Sequence, residues 1–330
     1  MKITENCPLK GRNTFGMDVT ARCLIDYSCP EDLQALAGEL QQPVLVMGGG
    51  SNLLFMDDFK GTILHSLIEG IEIAGESDDS VYVRVGSGVT WDDFVAYAVL
   101  KGWWGIENLS AIPGDVGAGA VQNIGAYGVE IKDVIETVQT VSLEDGTCRD
   151  FSMEECEYAY RQSIFKNSLK GRYAVTYVIF RLGLKPCPKL GYGALRQAVE
   201  DPTLKNIRSA VIAIRNSKLP DPQVLGNAGS FFMNPVVPES DFERIREMYP
   251  DVPSYPAMNG MVKVPAGWMI EKAGWKGRSL GPARCYEKQA LVLVNTGGAT
   301  GSDIRRLADA VTADVRKLFG ITLSTEVNYI

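Results

Sequence analysis

The stretch from Ile112 to Gly128 reads IPGDVGAGAVQNIGAYG. It is dense in glycine and alanine, carries one charge at Asp115, and shows neither the 3.6-residue period of an amphipathic helix nor the alternation of a strand. Bulk is missing over seventeen residues. Such a segment either lets two backbones cross closely or lets something flat and large lie against the chain, with Gln122 and Asn123 as polar edges. The segment by itself leaves both readings open.

A second glycine run precedes it. Val46 to Leu54 reads VMGGGSNLL, with Gly48, Gly49 and Gly50 following the apolar run Val44–Met47. The dinucleotide pattern G-x-G-x-x-G would need a glycine at Leu53, and a Walker A loop would need a following Gly-Lys-Ser/Thr; both fail. Consecutive glycines nevertheless let backbone N–H groups converge on an anion, and Ser51 and Asn52 add side-chain donors. A tight turn is the competing reading.

Composition narrows the chemistry. The chain has 330 residues, enough for two or three domains, with 45% hydrophobic and 22% charged residues, as in ordinary globular proteins. A net charge of -7 argues against a nucleic-acid protein. No run of 18 apolar residues is present, so no membrane span is expected, and Met1–Asn6 opens no apolar leader. Seven scattered cysteines without a Cys-x-x-Cys pair fit reduced thiols in the cytoplasm rather than a disulfide framework or a metal site. The single histidine, His65, is flanked by aliphatic residues and reads as packed. A Ser-His-Asp triad is thereby disfavoured, so proton transfer falls to Ser, Tyr, Lys, Glu, Asp or a cofactor.

Outward from the two loops, the periodicity predicts a helix from Pro30 with Leu33, Leu36, Ala37 and Leu40 on one face, then a buried strand at Val44–Met47. Val81–Val85 reads as a strand, and Thr90 as the N-cap of a helix carrying Trp91, Phe94, Val95, Ala98 and Val99 that stops at Gly102. Val134–Leu143 and 174–182 read as strands. Lys218–Pro222 reads as a linker. Ser240–Glu243 reads as a capping box, with Phe242, Ile245 and Tyr249 inward. Ser302 to Phe319 is strongly amphipathic through Ile304, Leu307, Ala308, Val311, Val315 and Leu318, with Gly320 just past its end. The tail, Leu323–Ile330, reads as a strand paired into a sheet.

Three further places could carry chemistry. In Tyr158–Lys166, Arg161 is either a surface residue packing its stem or a donor to a developing oxyanion. In Leu225–Pro235, Ser230 lacks the G-x-S-x-G elbow and any histidine to activate it, so it is a poor nucleophile. It is either a turn serine or a proton donor to a strongly basic carbanion. Glu326, on the terminal strand, is either solvated or part of a site.

These segments, in this order, resemble one family: Gly48–Asn52, Pro113–Gly117 with Gln122–Gly128, Tyr160–Ser163 with Phe165–Lys166, Leu219–Pro222, Gly226–Pro235, Ala266–Glu271, Gln289–Val292 and Glu326–Val327 are similar to the UDP-N-acetylenolpyruvoylglucosamine reductases of peptidoglycan synthesis. The match spans nearly the whole chain. It implies an α+β fold with a two-domain FAD-binding module of the vanillyl-alcohol-oxidase (PCMH) type plus a third α+β substrate-binding domain. The boundaries implied are 1–66 with 320–330, 67–217, and 218–319. It implies non-covalent FAD held by Gly48, Gly49, Gly50, Ser51, Asn52, Pro113, Gly114, Gly117, Gln122, Asn123, Gly125, Ala126 and Tyr127. NADPH is the implied co-substrate and UDP-N-acetylglucosamine enolpyruvate the substrate. Hydride passes from flavin N5 to C3 of the enolpyruvyl group, a proton from Ser230 to C2, and Arg161 and Glu326 (protonated or bridged through water) stabilise the enolate. Substrate contacts implied by matching position are Tyr192, Lys218, Asn234, Tyr255 and Gln289, with Tyr192 on a loop present in only some members. No metal, nucleic acid or membrane is implied; a cytoplasmic monomer is expected. The competing readings are another FAD-dependent oxidoreductase of the same fold, such as a sugar or hydroxy-acid oxidase, and a non-catalytic flavin-binding redox sensor.

Overall fold

The structure, a computed structural model, describes residues 1–191 and 193–330. By packing, the chain falls into two compact units: Met1–Cys7, Thr20–Gly50 and Phe59–Asn216 form the first, and Pro8–Val19, Ser51–Asp58 and Ser217–Ile330 the second. This differs from the three segments expected from the sequence. Residues 51–58 go with the C-terminal tail because Leu53–Leu54 pairs in parallel with Asn328–Tyr329.

The first unit contains a four-stranded sheet in the order Lys2–Pro8, Thr20–Tyr27, Phe59–Ser66, Val44–Met47. Phe59–Ser66 lies between two parallel neighbours and is buried along most of its length, as such strands are. Val44–Met47 is not the buried strand its apolar sequence suggests: it lies at the sheet edge, and only Met47 is buried. Helix α1 (Pro30–Leu36) is shorter than its periodicity implies, because the chain leaves helical geometry at Ala37 and turns at Gly38 (φ 75°). Leu36 and Leu40 still pack against Leu33 and its neighbours.

A five-stranded antiparallel sheet follows, in the order Cys148–Ser152, Ile135–Ser142, Tyr173–Gly183, Ser80–Gly86, Ile71–Glu76. Val81, Val83 and Val85 are buried while Tyr82 and Arg84 alternate outward, the period of a one-sided strand. Helix α2 (Trp91–Lys101) packs onto this sheet through Trp91, Phe94, Val95 and Ala98. Phe94 stacks on Phe180 with ring centroids 4.9 Å apart. Each such fully buried ring contributes about 2–3 kcal/mol relative to exposure. Thr90 occupies the N-cap position without a side-chain cap bond, and Gly102 (φ 78°) ends the helix. Helix α3 (Val116–Gln122) arises within the glycine stretch itself. Helices α4 (Gly193–Ala198) and α5 (Leu204–Lys218) close a separate cluster of Leu195, Val199, Leu204, Ile207 and Val211 against Trp104.

The second unit holds a four-stranded sheet ordered Gly226–Ser230, Val292–Asn295, Ala283–Cys285, Ser279–Leu280, and a smaller one of Val236–Val237, Val262–Lys263 and Tyr255–Pro256. Helix α6 (Glu239–Met248) buries Phe242 and Ile245. Its N-cap is Pro238, so the expected capping box at Ser240 does not form: Ser240 lies inside the first turn. Helix α7 (Ala266–Lys272) precedes the strands that carry Ser279–Cys285. Helix α8 (Gly301–Phe319) does have a capping box, between Thr300 and Asp303, and ends at Gly320 (φ 74°). Its apolar stripe finishes on buried Phe319, not on Leu318, which is 37% exposed, because the Val311–Val315 row advances by four. The tail is less regular than expected: only Asn328–Tyr329 is strand, Thr325 makes an isolated bridge to Phe232, and Glu326 lies on the bend between.

Candidate active site

In the first unit the two glycine loops meet. A Cβ on Gly49 would lie 3.4 Å from Gly114 Cα, and one on Gly48 would lie 2.9 Å from Asp115 Oδ2 and 3.0 Å from Ala118 Cβ. Gly50 (φ 63°) and Gly114 (φ 108°) adopt backbone that side-chain-bearing residues avoid. The close-crossing reading of the Pro113–Gly128 stretch holds at Gly117: its N–H donates to Ser87 O at 3.0 Å, and a Cβ there would stand 2.7 Å from Ser87 Cβ. Around Gly125 the chain is instead shaped into a hairpin. Ala126 pairs with Val129, and both turn residues, Tyr127 (φ 49°) and Gly128 (φ 82°), are left-handed, the pattern of a type I′ turn.

Side chains hold this backbone in place. Asn123, expected as a polar edge for a ligand, is fully buried and caps the C-terminal end of α3 in left-handed geometry. Its amide donates to Ala159 O (2.8 Å) and Glu130 Oε2 (3.1 Å), and its oxygen accepts from Lys132 N–H (3.3 Å). The Asn123 side chain therefore fastens the loop and is engaged within the protein. Gln122 accepts from Lys166 Nζ at 2.8 Å, and the same ammonium donates to Arg161 O at 2.8 Å. Arg161 is the second residue of a two-residue turn closed by Ala159 and Gln162 and is itself left-handed (φ 58°). Its guanidinium donates to Gly125 O at 2.7 Å and reaches Asn123 O at 3.4 Å. The surface reading of Arg161 is thereby set aside: the cation lies on the glycine loop. Pro113 is exposed, and Ala126 and Tyr127 are half-buried.

Two residues that matter here carry no sequence signal. Asn108, fully buried, donates to Tyr127 O (2.9 Å) and Lys189 O (2.8 Å). Arg215 donates to Ala111 O at 3.2 Å, with its pKa lowered by burial and Tyr127 among its electrostatic neighbours. An asparagine in ENLS or an arginine in a helix is too common a feature to single out.

In the second unit, Ser230 ends the strand Gly226–Ser230 just after Gly229 (φ 67°), where the pairing with Val292–Asn295 slips by a bulge. Asn227 fixes that bulge: its amide donates to Leu225 O (2.9 Å) and Pro220 O (3.2 Å), and its oxygen accepts from Gly229 N–H (2.9 Å). The chain then pairs with the tail. Glu326 N–H donates to Phe231 O at 2.8 Å, and Met233 N–H to Ser324 O at 2.9 Å. Ser230 and Glu326, nearly a hundred residues apart in the chain, thus flank one short antiparallel pairing, and both are half-buried. Asn52 also reaches this bend, donating to Glu326 O at 3.2 Å, while Asn52 O accepts from Asn328 N–H at 3.1 Å. Asn52 is therefore a tether of the tail; half-buried Ser51 precedes it.

Of the expected substrate contacts, Asn234 and Gln289 meet at one place, the first turn of α7. Asn234 Oδ1 accepts from Ala266 N–H at 2.9 Å, and a Cβ on Gly267 would lie 2.9 Å from Gln289 Oε1. Lys218 is exposed at the end of α5, and Tyr255 is exposed on the small sheet opposite Lys263. Tyr192 lies outside the described residues.

Against known proteins, residues 30–152 match the FAD binding domain family and residues 221–330 match the C-terminal domain of UDP-N-acetylenolpyruvoylglucosamine reductase. Over its whole length the chain is similar to the UDP-N-acetylenolpyruvoylglucosamine reductases of Bacteroides fragilis (53% identical, 99% of this chain and 100% of that one) and Pseudomonas aeruginosa (45%, 99% of each). The chain belongs to the UDP-N-acetylenolpyruvoylglucosamine reductase family. The reductase of Thermus caldophilus shares the fold, with a TM-score of 0.70 at 23% identity over 99% of this chain and 98% of that one. Both glycine loops lie in the part that matches the FAD binding domain, and Ser230, Asn234, Tyr255, Gln289 and Glu326 in the part that matches the reductase's C-terminal domain. Arg161 falls in the stretch between the two matches.

The residues present fit a bound dinucleotide. A side chain at Gly48 would crowd Asp115 and Ala118, Gly49 lies within contact of Gly114, and Gly50 and Gly114 adopt positive φ, so the paired loops present bare backbone. The His65 ring is held by Asp26 at 2.7 Å, in keeping with the packed reading. Among the described residues no group of three or more His, Cys, Asp or Glu could hold a metal, and no helix is long and apolar enough to cross a membrane.

Proposed function

We propose that this chain is an FAD-containing, NADPH-dependent oxidoreductase that reduces UDP-N-acetylglucosamine enolpyruvate to UDP-N-acetylmuramate in peptidoglycan synthesis. The observation that carries this is full-length similarity, at 53% and 45% identity, to relatives named for that reductase activity. The meeting of the two glycine loops in the unit that holds the FAD binding match supports it. FAD, when bound, supplies the hydride that reaches C3 of the enolpyruvyl group.

The chain's own residues do the rest. Gly48–Gly50 and Pro113–Gly128 hold the cofactor through backbone. Addition at C3 leaves negative charge delocalised from C2 onto the pyruvyl carboxylate, and a fixed cation lowers the cost of that charge. Arg161 has the required rigidity, because the carbonyl of Gly125 and the Lys166 ammonium pin its side chain and backbone. Ser230 Oγ donates the proton to C2, so that the double bond gains one hydride and one proton. Glu326, fixed at the tail bend, supports that transfer. Asn234, Gln289, Lys218, Tyr255 and Tyr192 contact the nucleotide sugar. The enzyme works in the cytoplasm as a monomer; the absence of a paired cysteine pattern supports the compartment.

The purified protein should be yellow. NADPH without air should bleach it, and UDP-N-acetylglucosamine enolpyruvate should restore the colour. A protein that takes up no flavin, or that bleaches but is not reoxidised by this substrate, would contradict the reading; the latter outcome would favour another oxidoreductase of the same fold.

A further inference from the structure

Asn108 has no part in the proposed chemistry, yet it joins two segments that the reaction uses. It sits in the 3-10 turn Glu107–Leu109, which is pinned from several sides. Glu107 Oε2 accepts from Gly105 N–H (2.8 Å), Ser110 Oγ donates to Glu107 O (2.6 Å), and the Trp91 indole N–H donates to Leu109 O (2.9 Å). From this fixed seat the fully buried Asn108 amide directs both of its N–H groups at carbonyls far along the chain: Tyr127 O at 2.9 Å and Lys189 O at 2.8 Å. Its Oδ1 is buried without a hydrogen-bond partner. A buried oxygen left unmet is costly, and turning the amide over would aim an acceptor at two carbonyls. The side chain is therefore placed for its two donors.

The two carbonyls belong to different parts of the proposed site. Tyr127 is the left-handed tip of the Gly125–Glu130 hairpin; the Arg161 guanidinium holds the base of that hairpin at Gly125 O, and Asn108 holds the tip. Lys189 stands three residues before Tyr192, an expected substrate contact, and four before the start of α4. Two further observations make these segments one piece. Tyr127 and Leu190 pack against the same cluster of Trp104, Leu195, Ile207 and Val211. The Lys189 ammonium lies 3.9 Å from Asp133 Oδ2, which accepts from Glu130 N–H at 3.0 Å, and Glu130 pairs with Gly125. That ion pair is partly exposed and weak; the buried amide is the stronger tie.

We propose that Asn108 is a positioning residue that locks the tip of the flavin hairpin and the Lys189–Leu190 segment to one another, so that the substrate meets a segment already in register with the flavin. This rests on the FAD and substrate reading above. Ordering the segment only when substrate arrives would be drawn from the binding free energy; ordering it beforehand lowers KM.

The test is kinetics of the flavin-loaded full-length enzyme, with flavin retention on serial dilution and thermal melting read on the same samples. Asn108→Leu keeps the volume and removes both donors. The KM for UDP-N-acetylglucosamine enolpyruvate should rise about tenfold and flavin retention should weaken, while bleaching by saturating NADPH in the loaded fraction stays within about twofold of the parent rate. Val211→Ala opens the same apolar cluster without removing a hydrogen bond; it should lower the melting temperature and leave that KM unchanged. A parent-like KM or parent-like retention in Asn108→Leu would overturn the proposal. So would an equal KM rise in Val211→Ala, which would make Asn108 a part of the general packing. If Asn108→Leu does not fold, Asn108→Ser, which is smaller and keeps one donor, is read in its place; a KM rise of about threefold is expected, and a parent-like KM overturns the proposal there too. A parent protein without flavin would instead sink the functional reading.

Discussion

The Gly125–Arg161 region of the first unit and the Ser230–Glu326 region of the second are built on opposite plans. In the first, side chains serve backbone: Asn123, Asn108, Lys166 and Arg161 all direct their polar groups at carbonyls of the glycine stretch and the turn beside it. In the second, backbone serves side chains: a bulge, a bridge and the Glu326-to-Phe231 hydrogen bond bring Ser230 and Glu326 to one short pairing. A surface that must receive a large flat cofactor is made by removing side chains. On the proposed reading, a surface that must deliver one proton is made by fixing the backbone that carries one hydroxyl.

Substitutions can break this contrast. The largest effect is expected at Gly125. A Cβ there would lie 2.9 Å from Val129 O and 3.0 Å from Arg161 Nη1, so Gly125→Ala must displace the hairpin or the guanidinium. Turnover should fall about a hundredfold, as misplacement of a charged group by about 1 Å can cause. Flavin content should fall with it, so that both half-reactions suffer. Asn227→Ala should act differently. It leaves the half-buried Gly229 N–H without its acceptor, costing about 1 kcal/mol in denaturant unfolding. Reoxidation by substrate should slow while bleaching by NADPH is preserved; loss of both would mean that the bulge matters to the whole fold.

The smallest effect tests the scaffold of the first unit. Burial works to raise the Asp92 pKa, but two hydrogen bonds from Arg208 (2.6 and 2.9 Å) and one from Ala111 N–H (2.6 Å) outweigh it, and the net direction is down. A carboxylate depressed in the folded state adds stability above its ordinary value near 4, and that stability is lost as pH falls through the lower folded value. Asp92→Asn should therefore cost about 1 kcal/mol at pH 7, allowing for the pair's partial exposure, and less at pH 3. Denaturant midpoints at the two pH values check it. Neither half-reaction should change.

What was legible in the sequence follows the same contrast. Absence of bulk is visible in a string of letters, so Gly48–Gly50 and Pro113–Gly128 stood out. The roles of the polar residues within them did not: Asn123 and Asn52 look like ligand donors until their amides are found on Ala159 O and Glu326 O. Long-range pairing is equally invisible, since nothing in Leu53–Leu54 names Asn328–Tyr329 as its partner, and the division of the chain follows from that pairing. Local periodicity served well for α2, whose ends at Thr90 and Gly102 stand as expected, and for α8, whose stripe ends on Phe319 rather than Leu318. The capping box expected at Ser240 does not form, since Pro238 caps α6, while α8 has one at Thr300; cap residues are abundant, and only the backbone decides which one begins a helix. The edge position of Val44–Met47 depended on which strands became its neighbours. The assignment of chemistry to Ser230 rested on the family resemblance, because a serine without a histidine has no local signature of catalysis.

The most direct measurement is an anaerobic comparison of the two half-reactions in Ser230→Ala. The proposed division of labour predicts full flavin content, bleaching by NADPH at nearly the parent rate, and reoxidation by UDP-N-acetylglucosamine enolpyruvate slowed on the order of a hundredfold or more, as loss of a general acid entails. Equal slowing of both half-reactions, or reoxidation at the parent rate, would contradict it.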